Sequence, residues 1–144
     1  MPKSKAKVKV LTGGCFDILH YGHIHFLKNA KALGNNLVVA LESDENIRKL
    51  KGKGRPFHDQ EKRREMLTSL SFVDEVIVLP DKMKDEDYLK MVKSVKPQII
   101  AVTAGDPILK KKQKQAEMVG AKVVEIPKVN SSSTSQIARL LGLE

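Results

Sequence analysis

Short apolar runs rich in β-branched residues alternate along the chain with longer stretches in which apolar positions recur every three or four residues. The short runs predict strands at 8–12, 37–42, 75–79, 99–103 and 122–126. The longer stretches predict helices at 21–33, 59–70, 85–95, 108–119 and 134–141. In the first of these helices Ile24, Leu27, Ala30 and Leu33 share one face, and Gly34 follows as a stop signal. Pro97, Pro107 and Pro127 all fall between elements, where a missing N–H breaks no ladder or helix bond. A strand that is apolar at four or five consecutive positions needs cover on both faces, and one followed each time by a helix belongs in a parallel sheet. The expected fold class is therefore α/β, a doubly wound five-stranded parallel sheet of Rossmann-like type, in a single domain over residues 1–144. Such sheets bind ligands beyond the C-terminal ends of their strands, where the strand order reverses.

Composition narrows the class without changing it. The chain has 144 residues, 41% hydrophobic and 30% charged, which suits one folded core and argues against disorder as its main state. Its longest apolar runs are strand-sized, such as LVVAL at 37–41, so no membrane span is expected. The basic N-terminus MPKSKAKVKV has no apolar segment behind it, and residues 1–6 are expected to form a solvated tail, not a secretory signal. A single cysteine, Cys15, cannot build an internal disulfide framework and points to a reducing, cytoplasmic setting. Four Phe, two Tyr and no Trp leave little surface for stacking single-stranded bases, so nucleic acid is not the expected partner.

Charge changes the picture more. Lys and Arg number 26 against 17 Asp and Glu, a formal net charge of +9, which favours phosphorylated metabolites, nucleotides or nucleic acid as partners. One cluster, Lys3, Lys5, Lys7 and Lys9, reads as a solvated tail. A second, Lys110, Lys111, Lys112 and Lys114, reads as a solvated helix face.

The candidate chemistry lies directly after the first predicted strand, in TGGCFDILHYGHIHFL at 12–27. Gly13 and Gly14 let the backbone turn and approach a bound group closely. His20 and His23 flank Gly22 at the start of the first helix, whose free N–H groups and dipole already favour a phosphate. Two imidazoles at the same place add donors able to stabilise charge that develops on phosphorus in a transition state. No cysteine or carboxylate set stands nearby with metal-ligand spacing, so no protein-held metal is expected.

The run GCFDILHYGH at 14–23 resembles the G-[TC]-F-D-x-x-H-x-G-H signature of nucleotidyltransferases, which move a nucleoside monophosphate from a triphosphate to a phosphate ester. The segment SDENIRKLKGKGRPFHDQEKR at 43–63 is similar to the matching stretch of the adenylyltransferases that activate heptose 1-phosphate for lipopolysaccharide. FMN adenylyltransferases (FAD synthases) and glycerol-3-phosphate cytidylyltransferases are the runners-up with the same chemistry. A rival of another class is a nucleotide- or RNA-binding protein that keeps the fold without turnover.

The resemblance implies ATP as donor substrate, a phosphorylated small molecule as acceptor, and Mg²⁺ carried mainly on the nucleotide phosphates; it leaves a homodimer open. It assigns His20 and His23 to the triphosphate and the transition state, and Gly14, Cys15, Phe16, Asp17 and Gly22 to the nucleotide-binding turn, with Asp17 holding the loop. Lys51 is expected to meet the α-phosphate or the acceptor phosphate, and Arg63 to orient the phosphates. Asp106 is expected beside the base and ribose, and Ser133 and Thr134 against the β- and γ-phosphates. Lys128 stands where some cytidylyltransferases carry arginine, which favours the adenylyl reading.

Overall fold

A computed structural model describes residues 6–129 and 133–142. Five strands, β1 (Lys9–Gly14), β2 (Asn36–Leu41), β3 (Glu75–Val78), β4 (Ile99–Thr103) and β5 (Lys122–Ile126), form one all-parallel sheet in the order β3-β2-β1-β4-β5. Helices α1 (Tyr21–Ala32), α3 (Gln60–Thr68), α4 (Asp85–Val95), α5 (Leu109–Val119) and α6 (Thr134–Leu140) occupy the expected stretches. The doubly wound sheet anticipated from the apolar pattern is the one observed. A further helix, α2 (Asp44–Lys51), lies where the apolar pattern predicts neither helix nor strand. Most of the expected basic tail lies outside the described residues, and so do Ser131 and Ser132 of the SSSTS run.

Alternate residues of the central strands feed two separate cores. Val10, Val39, Leu41 and Ala101 pack with Leu27 and Ala30 of α1 and Leu67 of α3. Their chain neighbours Leu11, Val38, Ala40, Ile100 and Val102 pack with Val92 and Val95 of α4 and Ala116 of α5. This explains the uninterrupted apolar strands: the period-two alternation distributes side chains between two covered faces. No helix among the described residues is long and apolar enough to cross a membrane.

The sheet's topology also positions the site. From β1 the chain winds through β2 to β3, then crosses to β4 and β5 on the other side of β1, so the order reverses between β1 and β4. Strands β1 and β2 stay paired from Lys9↔Asn36 to Gly14↔Leu41, whereas β1 and β4 pair only at Val10↔Ile99 and Leu11↔Ile100. Beyond Leu11 the two central strands part. The Thr12 hydroxyl spans the start of the gap, donating to the Ala101 carbonyl at 3.0 Å. The cleft that opens there is where a doubly wound sheet receives its ligand.

Candidate active site

The cleft has a volume of about 460 Å³, in the range of ligand sites. Its floor is made by Thr12–Gly14 side by side with Ala101–Thr103, and its rim by the β1–α1 loop, the end of α2, the β4–α5 turn and the start of α6. Gly14, Cys15, Phe16, Asp17, His20, Gly22, His23, Lys51, Asp106, Ser133 and Thr134 all line it, so the structure gathers residues spread over 121 positions of the chain into one site. Arg63 does not line it.

The β1–α1 loop is shaped by packing and by one charged knot. Phe16 turns back at φ 47°, and its ring lies so close over Gly14 that a Cβ there would sit 2.8 Å from the ring. Only glycine fits at position 14 without displacing that ring. Asp17 is buried and receives the backbone N–H groups of Phe57 and His58 at 2.8 and 3.0 Å and the Nε–H of Arg55 at 2.8 Å. Burial alone would push its carboxyl up, but these hydrogen bonds and the guanidinium outweigh it and hold Asp17 below the usual aspartate range. Asp17 thereby fastens the loop to the 55–58 segment.

Arg55 is a site residue that sequence reasoning missed. In the sequence it stands in a basic stretch with Lys49, Lys51 and Lys53, and nothing sets it apart. In the fold it is buried, lines the cleft, stacks 4.7 Å over the Phe57 ring and reaches Ser135 Oγ at 3.5 Å. Arg63 corrects the reading in the opposite direction. Its side chain is 0% exposed, and it donates to the carbonyls of His58 (3.0 Å) and Cys15 (2.8 Å) and to Asp44 Oδ1 (2.7 Å). These bonds turn the guanidinium inward, under the loop, where it supports the back of the site. Its neighbour Arg64 faces solvent, paired with Glu61.

The two histidine rings sit against each other at a tilt of 33°, centroids 4.0 Å apart, with Phe16 edge-on to His23 at 5.3 Å. His20 is the N-cap of α1: its Nδ1 accepts the Gly22 N–H at 3.1 Å, which leaves Nε2 to carry the proton of the neutral ring. Its own N–H approaches His23 Nδ1 at 3.4 Å. Burial drives the His23 pKa down to about 4, helped by the neighbouring His20 and opposed by a hydrogen bond to the Ile18 carbonyl. Burial also lowers His20. Both rings are therefore neutral donors at neutral pH, able to stabilise charge that appears during a reaction. His25 and Phe26, one turn further along α1, extend this wall.

A pH consequence follows. Because the folded pKa of His23 lies below its unfolded value near 6.5, the unfolded chain binds more protons between about pH 6.5 and 4. Stability conferred by the neutral ring is complete above that window and lost as pH falls through it. Wild type should thus lose stability on acidification from pH 6.5 to 4.5 at up to about 1.4 kcal/mol per pH unit. His23→Gln should show a clearly shallower slope in urea unfolding series. Asp17, with its depressed pKa, acts in a lower window, below the carboxylate range. Equal slopes for the two proteins would contradict the buried neutral ring.

The remaining sequence-predicted residues are on the wall, but most are committed to the protein. The Cys15 thiol is pushed up by burial and by the charge of Glu42, so it is a neutral filler and not a nucleophile. Lys51 ends α2, close enough to Cys15 for its charge to oppose that rise. Ser133 caps α6 by accepting the Gln136 N–H, and Thr134 donates its hydroxyl to the Ile18 carbonyl at 3.0 Å, tying α6 to the histidine loop. Asp106 caps the β4–α5 turn through Oδ1, which accepts the Ile108 N–H at 2.8 Å. Lys128 also lines the cleft.

A family model described as cytidylyltransferase-like matches residues 11–139, from within β1 to the last turn of α6. The chain belongs to the cytidylyltransferase-like family. This bears out the nucleotidyltransferase resemblance. The "Bifunctional protein HldE" of Campylobacter fetus is 43% identical over 119 residues, covering 82% of this chain and 22% of that protein. The chain thus spans about a fifth of the bifunctional relatives' length. The "FAD synthase" of Thermococcus sibiricus is 38% identical over 141 residues, covering 95% of this chain and 92% of that one. Among solved structures, the lipopolysaccharide core biosynthesis protein from Thermoplasma volcanium superposes with a TM-score of 0.72 at 32% identity, over 88% of this chain and all of that one.

Proposed function

We propose that this member of the cytidylyltransferase-like family is an adenylyltransferase, moving AMP from ATP to a phosphorylated small molecule such as heptose 1-phosphate. A phosphate oxygen of the acceptor attacks the α-phosphorus in line, the bond from that phosphorus to the bridging oxygen breaks, and pyrophosphate leaves with the bonding electrons. The observation that carries this reading is the pair of neutral imidazoles at the open end of β1, beside the N-terminus of α1. Neutral donors bind the ground-state triphosphate less strongly than cations would and gain most when charge builds up during transfer. A pure nucleotide binder has no use for that difference.

Mg²⁺ enters with the nucleotide. The two carboxylates on the cleft wall, Asp17 and Asp106, are already engaged by Arg55 and by Lys112, and no group of three or more His, Cys, Asp or Glu among the described residues could hold a metal. The ion would neutralise phosphate charge as the leaving pyrophosphate forms. The same reading puts the enzyme in the cytoplasm, with ATP and a free thiol.

A second acceptor, FMN, is favoured by one observation: the likeness to the FAD synthase runs over nearly the whole of both chains. Heptose 1-phosphate is favoured by the higher identity to the bifunctional relative and by the match to the lipopolysaccharide core protein. Both acceptors use the same donor. Ala104 and Gly105, which follow β4, are small, and Pro107 offers no backbone N–H, features that suit a purine donor. ATP should therefore exceed CTP by at least about tenfold in kcat/KM, some 1.4 kcal/mol of discrimination. Pyrophosphate release with each nucleotide against heptose 1-phosphate, FMN and glycerol 3-phosphate tests this. Equal use of CTP, or a preference for it, would move the protein to cytidylyl transfer.

A further inference from the structure

The lysine cluster at 110–114 does not act as one solvated face. Lys110 and Lys114 are exposed, and Lys111 pairs with Asp85 of α4 on the surface. Lys112 turns the other way. Its side chain is only 22% exposed, it lines the cleft, and its ammonium lies 2.5 Å from Asp106 Oδ2. Asp106 then has a partner on each oxygen, Oδ1 on the Ile108 N–H and Oδ2 on Lys112. What the cleft meets at the β4–α5 turn is therefore an ion pair, whose ammonium has one of its three donors spent on Asp106.

The charge balance of this corner decides what it suits. Asp106 cancels the charge of Lys112, so the pair offers N–H donors with no net positive field. At the other end of the cleft stand the start of α1, the two histidines and Lys51, the surroundings a polyphosphate requires. Between the two lie the apolar and small residues Ala101 and Val102. An uncharged heteroaromatic group with lone-pair acceptors on its edge fits the Lys112 corner.

We propose that Lys112, held in place by Asp106, reads the nucleobase of the donor by donating a hydrogen bond to a ring acceptor. The proposal depends on the adenylyltransferase reading for the presence of a nucleotide, and assigns the base-reading role to a residue of α5. Asp106 is in this view a positioning residue that acts through the lysine. An ammonium can only donate, so the contact requires an acceptor such as a ring nitrogen and is lost with the analogue that lacks it.

The test is calorimetric binding of a non-transferable ATP analogue (α,β-methylene ATP), its 1-deaza, 3-deaza and 7-deaza forms, and inorganic tripolyphosphate. The proteins are wild type, Lys112→Met and Asp106→Asn. Lys112→Met should bind the ATP analogue about tenfold more weakly than wild type, the range of one charge-assisted hydrogen bond. One deaza form should bind wild type about tenfold more weakly than the parent and bind Lys112→Met no differently from it. Asp106→Asn should reduce that same discrimination. Tripolyphosphate should bind wild type and Lys112→Met alike, which also reports an intact fold. Loss of tripolyphosphate and ATP binding in parallel would make Lys112 a phosphate ligand and overturn the proposal, as would deaza penalties unchanged in Lys112→Met. A wild type that binds tripolyphosphate with no gain from the nucleoside would overturn the adenylyltransferase reading itself.

Discussion

Replacing His23 with Gln, or His20 with Asn, should lower turnover by about 10²–10³-fold while ATP affinity stays within about threefold of wild type. The asymmetry follows from burial. Both rings have pKa values below the usual histidine range and are neutral when ATP arrives, so they add little to ground-state attraction. Their N–H donors gain strength only as negative charge accumulates around the α-phosphorus and the departing pyrophosphate. The substitutions are chosen with the local structure in mind. His20 caps α1 through Nδ1, and Asn keeps an acceptor for the Gly22 N–H, whereas Ala would also cost about 1 kcal/mol of helix capping. Single-turnover and steady-state pyrophosphate release, with KM followed separately, would separate the two effects. Unchanged turnover in either variant would remove the histidines from the chemistry.

Arg63→Ala should be strongly destabilising, by about 3 kcal/mol or more. The side chain is fully buried and satisfies three acceptors at once: Asp44, the Cys15 carbonyl and the His58 carbonyl. Removing it strands two part-buried carbonyls and leaves a cavity the size of a guanidinium. Asp44 is one-third exposed, so water can take back part of its loss, which sets the expectation at the lower end of the range for a broken buried pair. Arg64→Ala, next door and exposed, should leave the urea midpoint unchanged. If Arg63→Ala kept the wild-type midpoint but lost ATP binding, Arg63 would be a phosphate ligand after all.

These two expectations show where a one-dimensional reading succeeds and where it stops. The strands were legible because each central strand is apolar on both faces, and α1 because Leu27 and Ala30 recur at helical spacing. Helix α2 was not, because it buries only Ile47 and leaves Leu50 exposed. Its other signals, a capping Ser43, acidic Asp44 and Glu45 and a basic last turn, are those of a helix stabilised by charge and capping. The histidine site was legible because its residues lie within ten positions of one another after a strand. Arg55 and Lys112 were overlooked and Arg63 was assigned to the phosphates, because each is a cation in a basic run whose place is set by its partner, Asp17, Asp106 or Asp44. Asp17 and Asp44 lie far along the chain from Arg55 and Arg63, and sequence spacing does not pair them. Asp106 lies only six positions before Lys112, but the turn between them hides the pairing until α5 is placed.

The central claim is transfer of the α-phosphoryl group with its nucleoside, and the label of the donor tests it most directly. ATP carrying the label at the α-phosphorus, and in parallel at the γ-phosphorus, would be incubated with the full chain, Mg²⁺ and each of heptose 1-phosphate, FMN and glycerol 3-phosphate. The expected result is α-label in a new diphosphate ester of one acceptor and all γ-label in pyrophosphate. Transfer of γ-label to the acceptor, or ATP bound by the protein with neither label moved to any acceptor, would contradict it.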